Sequence, residues 1–432
     1  MVFLRHWRKG KLTSPLFLSM LFLLLAALIV GCAPGGSKSA PAAAPIVIGF
    51  PVSMNTPEKD AYLAAQMAAD EINSKDGGIV IDGVKRTLKV VSTDTRDLEP
   101  NVPSQDSILA VQNLISDQKP AAIVSAVIRS EIQLAIMQNT ASTKLVQILC
   151  GGVNSTFKKN FAADPAKFKY QFKNSPTDVD LVVALMSTCA YVKQTYGFTK
   201  IYLFGEDVDF ARAGVTVAQG LLQKAGWEIS GVSFIPLGTT DYSSIMSKFR
   251  DSGAQVGFYL FSTEGAPMPK QYQAMGLKQL MLGSSSAFFG EKTWDQTQGA
   301  CENFCIAVNG AGNAPSPKLA KTQAFYDAFV KQNGRGVASS LGVSQSYDGV
   351  YMLAQAWKAL GTFDPDKVVA YLEATPYDGV VGHTAFTAAD HQAPYGNDPT
   401  KVLIQEMVQW QNKQRAVVFP LEAADSTLAI PK

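Results

Sequence analysis

The chain has 432 residues with a formal net charge of +2, is 47% hydrophobic and only 17% charged, and so has enough apolar material for more than one core. That balance gives no basic surface for nucleic acid and argues against a disordered chain. Three histidines and five cysteines leave little material for a metal centre, and neither a metal nor a cofactor is expected.

In chain order, the first element is an export leader. Arg5, Arg8, Lys9 and Lys11 precede an apolar run at 16–30, whose 15 residues are short of the roughly 20 that span a bilayer. The run ends in Ile29, Val30, Gly31 and Cys32, which resembles a bacterial lipobox with Cys32 as the lipidated residue. The alternative is an uncleaved signal anchor. On either reading the bulk of the protein is expected outside the cytoplasm. Removal of residues 1–31 takes away four positive side chains and moves the formal charge to −2. Residues 33–45 (APGGSKSAPAAAP) read as a flexible tether.

From there strands and helices alternate. Short apolar runs at 45–50, 87–92, 121–125 and 144–149 read as strands, and residues 57–73, 102–116 and 129–141 have helical spacing. After a turn at 174–176 the pattern recurs, with helices at 179–196, 210–225, 243–251 and 267–275. Strands fall at 200–204, 228–235, 255–261 and 280–283. Alternation of this kind implies parallel sheets covered on both faces, here an α/β chain with two doubly wound lobes. Ligands of such folds sit beyond the carboxyl ends of the strands.

Besides Cys32, an even set of Cys150, Cys189, Cys301 and Cys305 suggests structural disulfides in an oxidising compartment. Cys301 with Cys305, and then Cys150 with Cys189, is one of three possible connectivities. No nucleophile elbow, phosphate loop or zinc-protease motif occurs, and beyond the leader only His383 and His391 are available as bases. The chain is therefore not expected to be an enzyme.

Several segments together resemble one family. PIVIGF with the following PVS (45–53), AADEIN and GGI (68–73, 77–79), TDTRD (93–97), AAIVSAVIRSE (121–131) and SYDGVY (346–351) follow its motifs in order. From residue 45 to about 420 the chain resembles the solute-binding proteins of branched-chain amino-acid-type ABC importers. The resemblance implies a type I periplasmic binding protein, two Rossmann-like lobes joined by a three-crossover hinge. Lobe 1 would comprise 46–172 and 310–398, and lobe 2 would comprise 173–309 and 399–432.

The same resemblance places a ligand site. The serine that binds the ligand carboxylate in relatives falls on Arg129, with Ser130 beside it. Arginine can fork onto a carboxylate, though it also suits an exposed helix position. Gly152 would donate its backbone N–H, while the expected threonine is Val153. Phe210 stands where a ligand-lining tyrosine is expected, and the next aromatic position falls near Thr263, with Glu264 adjacent. The acid that pairs with a ligand ammonium would fall at 284–286, where Ser284 begins a run of serines and no carboxylate occurs. Phe288 and Phe289 follow, either as an apolar wall or as core. These departures leave a small, possibly aromatic or branched carboxylate close behind an amino acid as the expected ligand. The implied partners are permease subunits of an ABC importer and the membrane through the N-terminal lipid. Alternatives are a ligand sensor acting through a separate receptor and a lipid-anchored hydrolase.

Overall fold

The alternation resolves into two sheets. In the computed structural model the described residues are 43–99, 101–261 and 265–432. The leader, Cys32 and residues 33–42 of the tether lie outside them, as do Thr263 and Glu264. The first sheet contains β1 (Ile46–Val52), β2 (Leu88–Asp94), β3 (Ala122–Ser125), β4 (Val146–Leu149) and β5 (Gln171–Lys173). Its order is β2-β1-β3-β4-β5, with every pair parallel.

The second sheet contains β6 (Lys200–Glu206), β7 (Glu228–Ile235), β8 (Val256–Leu260), β9 (Leu280–Ser284), β10 (Cys305–Val308), β11 (Glu406–Gln411) and β12 (Gln414–Phe419). The order is β12-β11-β10-β9-β8-β6-β7. Its first five strands repeat the winding of the first sheet, and all pair in parallel. It departs from the expected all-parallel pattern at one edge, where β11 and β12 run antiparallel. Asn412 and Lys413 make that reversal possible, both having positive φ (51° and 69°) as a two-residue hairpin turn requires. In this winding the strand order reverses between β1 and β3, and again between β6 and β8. Those two crevices are where a ligand is expected.

Helices cover the sheets. α1 (Lys59–Asp76) buries Ala61, Ala64, Ala65, Ala68 and Ile72 along one side and stops at Gly77, whose left-handed conformation suits glycine. α2 (Ser104–Gln118) and α3 (Ser130–Thr140) complete the first wind. α4 (Asp178–Tyr196) starts on a capping box between Thr177 and Asp180. It is followed by α5 (Asp209–Lys224), α6 (Ser243–Asp251) and α7 (Met268–Ala274). After β10 come α8 (Ala320–Asn333), α9 (Val343–Leu360) and α10 (Pro365–Ala374). α9 lies along α1, and the hydroxyls of Tyr347 and Tyr351 both donate to Glu71 Oε2 at 2.8 Å.

Alternate residues of β6 show how the layers are built. Tyr202 and Phe204 join a continuous buried cluster that extends through Tyr259 and Phe288 to Phe50, Ala64 and Val350 beside the first sheet. Ile201 and Leu203 face the opposite way, into a cluster with Leu185, Phe258 and Leu282. The expected disulfides are absent among the described residues, and the division separates Cys301 from Cys305 and Cys150 from Cys189. Cys150 and Cys301 belong to the first cluster, Cys189 and Cys305 to the second, and all four are free, buried thiols. Burial pushes the Cys150 and Cys189 thiols up to about 12 and that of Cys301 up to about 11. They behave as inert apolar side chains. Among the described residues no helix is long and apolar enough to cross a membrane.

Candidate ligand-binding site

The crevice of the first sheet is formed by the segments that leave β1, β2, β3 and β4. Asp97, fully buried in the loop after β2, organises them. Its Oδ1 accepts the Thr95 hydroxyl at 2.5 Å, and its Oδ2 accepts the backbone N–H groups of Ile128 (2.9 Å) and Arg129 (3.1 Å). A carboxylate at a helix N-terminus is favoured by the free N–H groups and the helix dipole. Here part of that role falls to the protein's own aspartate.

Arg129, Ser130 and Gly152 lie beside one another, but the Gly152 N–H that was expected to donate to a ligand is already engaged within the fold. Ser130 Oγ donates to the Val153 carbonyl at 3.3 Å, and Gly152 N–H donates to the Val127 carbonyl at 2.8 Å. The two loops approach so closely that a Cβ on Gly151 would lie 2.1 Å from the Val127 oxygen, so glycine is required there. The Arg129 side chain remains 42% exposed and pairs with Glu131, Nε to Oε1 at 2.8 Å. Ser175 Oγ donates to the Gly152 carbonyl at 3.1 Å, tying this rim to the chain leaving for the second sheet.

At the second crevice, Glu206 ends β6 fully buried, and Phe210 lies half-buried near the start of α5 against the outer cluster. Val153 from the first lobe packs on that same cluster. Ser284 ends β9, and its carbonyl accepts the Phe261 N–H at 2.8 Å. Phe288 and Phe289 are core. Phe288 packs edge-on against Tyr259 and Phe304, and Phe289 lies 4.5 Å beneath the Arg415 guanidinium. Thr263 and Glu264, expected to contribute here, lie outside the described residues.

Residues that the sequence reading passed over join the two crevices. Glu58 stands at the end of the loop after β1, 1% exposed, and accepts the Ser339 hydroxyl at 3.4 Å on Oε1. Its other oxygen, Oε2, has no hydrogen-bond partner among the described residues. Burial raises this carboxyl above its ordinary value, against the Thr56 hydroxyl and its own backbone, with Asp97 adding to the rise and Ser339 opposing it. On the other side, Asn309 directly follows β10 and donates its backbone N–H to the Ser340 carbonyl at 3.0 Å. Both polar atoms of its buried carboxamide lack partners among the described residues. Ser286, just past β9, lies Oγ to Oγ 3.3 Å from Ser340. Two adjacent residues, Ser339 and Ser340, are thus touched from the carboxyl ends of both sheets. The sequence signal for Glu58 was its place after the first strand. Asn309 gave none, because β10 was not recognised.

A separate open concavity of about 410 Å³ between α1, α8 and α9 is lined by Glu71, Lys75, Lys321, Tyr347 and Tyr351. Glu71 and Lys75 lie in the last turns of α1, near the amino ends of the strands and away from the crevices.

Residues 45–400 match a family model described as periplasmic binding protein. A leucine-, isoleucine-, valine-, threonine- and alanine-binding protein of Pseudomonas aeruginosa is 22% identical over 197 residues, which cover 45% of this chain and 51% of that protein. The chain thus aligns with about half the length of that curated relative. The branched-chain amino acid substrate-binding protein LivJ of Streptococcus pneumoniae, solved with isoleucine, superposes with a TM-score of 0.67 at 21% identity, covering 87% of this chain and 100% of that one. A solute-binding protein of R. palustris solved with benzoate also gives 0.67, at 14% identity over 89% and 98% of the two chains. These structures share the fold.

Proposed function

The chain belongs to the periplasmic binding protein family, and from that premise we propose that it is an extracytoplasmic solute-binding protein which delivers its solute to an ABC importer. The captured solute is a small amino acid or organic carboxylate. The observation that carries the reading is the meeting of both sheets' carboxyl ends at Ser339 and Ser340, with buried polar groups on either side. A solute held there would be enclosed by both lobes, where hydrogen bonds gain from the exclusion of water. Hinge bending would open and close the cleft. Relatives of this shape are named for both chemistries, isoleucine in one and benzoate in another.

Arg129 is the rim residue suited to a solute carboxylate, since its exposed pairing with Glu131 is weak enough to be exchanged. Phe210 and Ser284 would face the solute from the second lobe. Cys32 would carry the lipid that keeps the protein near its permease.

A thermal-shift screen over amino acids, aromatic acids, dicarboxylates and amides tests the reading. A solute at about 100 times its Kd adds about 2.7 kcal/mol of stability, so one class should raise Tm by several degrees. Titration should then give a micromolar constant, about 8 kcal/mol, with the compound recovered unchanged. No response to any class, or conversion of the bound compound, overturns it. For the anchor, Cys32→Ser should leave the protein unprocessed or in the soluble fraction. Cleaved protein that stays on the membrane would refute the lipid.

A further inference from the structure

The acidic residues around the first crevice differ in one respect. Asp94 accepts the backbone N–H groups of Met54 and Arg96. Asp97 accepts three donors, as described above. Asp60 holds the Arg335 guanidinium through both oxygens and accepts the Ala338 N–H at 2.7 Å. Glu58, two residues before Asp60, is as buried as Asp60 and Asp97, yet one of its oxygens has no donor among the described residues. No cation pairs with it among the ion pairs of the described residues, whereas Asp60, two residues on, has one. A buried carboxylate oxygen without a donor is strongly disfavoured; burial offsets this by favouring the protonated form, and a bound donor would offset it by supplying the missing hydrogen bond.

We infer that Glu58 is a specificity-determining residue whose Oε2 receives an N–H donor of the solute, an ammonium or amide nitrogen, so that donor-bearing solutes are selected over plain carboxylic acids. This rests on reading the crevice as the solute site. Three features place Glu58 there. It leaves β1 at the point where the strand order reverses. It contacts Ser339, the neighbour of the residue that Ser286 and Asn309 reach from the second lobe. Asn309, whose backbone N–H reaches Ser340, presents a second buried group without partners among the described residues, able to donate or accept. The family's acid, expected in the second lobe at 284–286, is replaced by serine. Glu58 restores a carboxylate from the opposite wall. An α-amino acid would then set its ammonium on Glu58 and its carboxylate toward Arg129 and Ser130.

Matched pairs of solutes test this on the whole protein by calorimetry. L-leucine, L-phenylalanine and L-alanine would each be compared with 4-methylpentanoate, 3-phenylpropanoate and propanoate, which keep the skeleton and lack the ammonium. The wild type should prefer the amine-bearing member of at least one pair by tenfold or more, and Glu58→Gln should reduce that preference below threefold. Equal affinity within every binding pair, or a preference that survives in Glu58→Gln, overturns the role of Glu58 while leaving the solute site standing. If Glu58→Gln does not fold, the wild-type comparison alone decides. If neither these pairs nor any class in the broader screen binds the wild type, the reading of the crevice fails and the inference with it.

Discussion

Asp97 Oδ2 accepts the backbone N–H of Arg129 at 3.1 Å, so the loop after one strand caps the helix that follows the next. With Ile128 sharing the same oxygen and Thr95 on the other, one side chain fixes the rim of the first crevice. Asp97→Ala should leave two backbone donors unpaired and destabilise the fold by about 2–4 kcal/mol. Urea denaturation of the two proteins measures this. A loss below about 0.5 kcal/mol would show that Asp97 does not organise the rim.

On the proposed function, Arg129 is the counterpart on the solute side. Its contact with Glu131 is exposed at both ends, and such pairs contribute about 0–1 kcal/mol. Arg129→Ala should therefore hardly change stability. Affinity for a carboxylate solute should fall more than tenfold, about 1.4 kcal/mol. Calorimetry on the solute found by screening separates the outcomes, and an unchanged Kd would remove the guanidinium from the site.

How much of this was legible beforehand follows from the range of the interactions. The alternation through residue 284 was readable because apolar spacing is a local property, and β7 and α6 fall at the expected residues. β10 is only four residues long, too short for its apolar spacing to declare a strand even with Asn309 and Gly310 after it, and the closing hairpin turns on Asn412 and Lys413 without a glycine. Arg129, Ser130 and Gly152 lie together because adjacent parallel strands place successive loops side by side. No local signal marks Glu58, the residue proposed to meet the solute, because its partner Ser339 is 281 residues away. Nothing in the neighbourhood of a glutamate indicates that it will be buried. The disulfide reading failed for a related reason. An even number of cysteines does not reveal that Cys301 and Cys305 will fall in different clusters, nor that Cys150 and Cys189 will.

Gln345 links the three chain segments that pass between the sheets. Its side-chain amide donates to the Asn309 carbonyl at 2.7 Å and to the Tyr395 hydroxyl at 3.4 Å, and its carbonyl accepts Asn174 Nδ2 at 3.0 Å. Asn174, Asn309 and Tyr395 follow β5, β10 and α10 respectively. Gln345→Leu keeps the volume but removes the side-chain donors and acceptor, leaving buried groups unpaired. We expect a loss of about 1–3 kcal/mol with unchanged secondary structure. Denaturation with circular dichroism checks it, and a midpoint equal to wild type would show that the crossovers do not depend on this amide.

The final prediction concerns pH and Glu406, the first residue of β11. This carboxyl is fully buried and accepts the Ser316 hydroxyl on Oε1 at 2.7 Å, while Oε2 has no partner among the described residues. Burial pushes it up to about 8, against the Ser316 hydroxyl and the Gly312 backbone, with Asp425 adding to the rise. An unfolded glutamate titrates at about 4.3. Between those values the native state holds a proton that the unfolded chain has released. Its contribution is thus fully present below about pH 4 and lost as pH rises through about 8. Glu406→Gln cannot ionise and retains a partner for Ser316. Relative to wild type, the variant should gain stability steadily from pH 5 to pH 9, the two curves converging or crossing at the alkaline end. Urea midpoints at pH 5, 7 and 9 test this directly, because all other titrating groups are common to both proteins. A difference that stays constant across the three pH values would mean that Glu406 is ionised in the native state throughout.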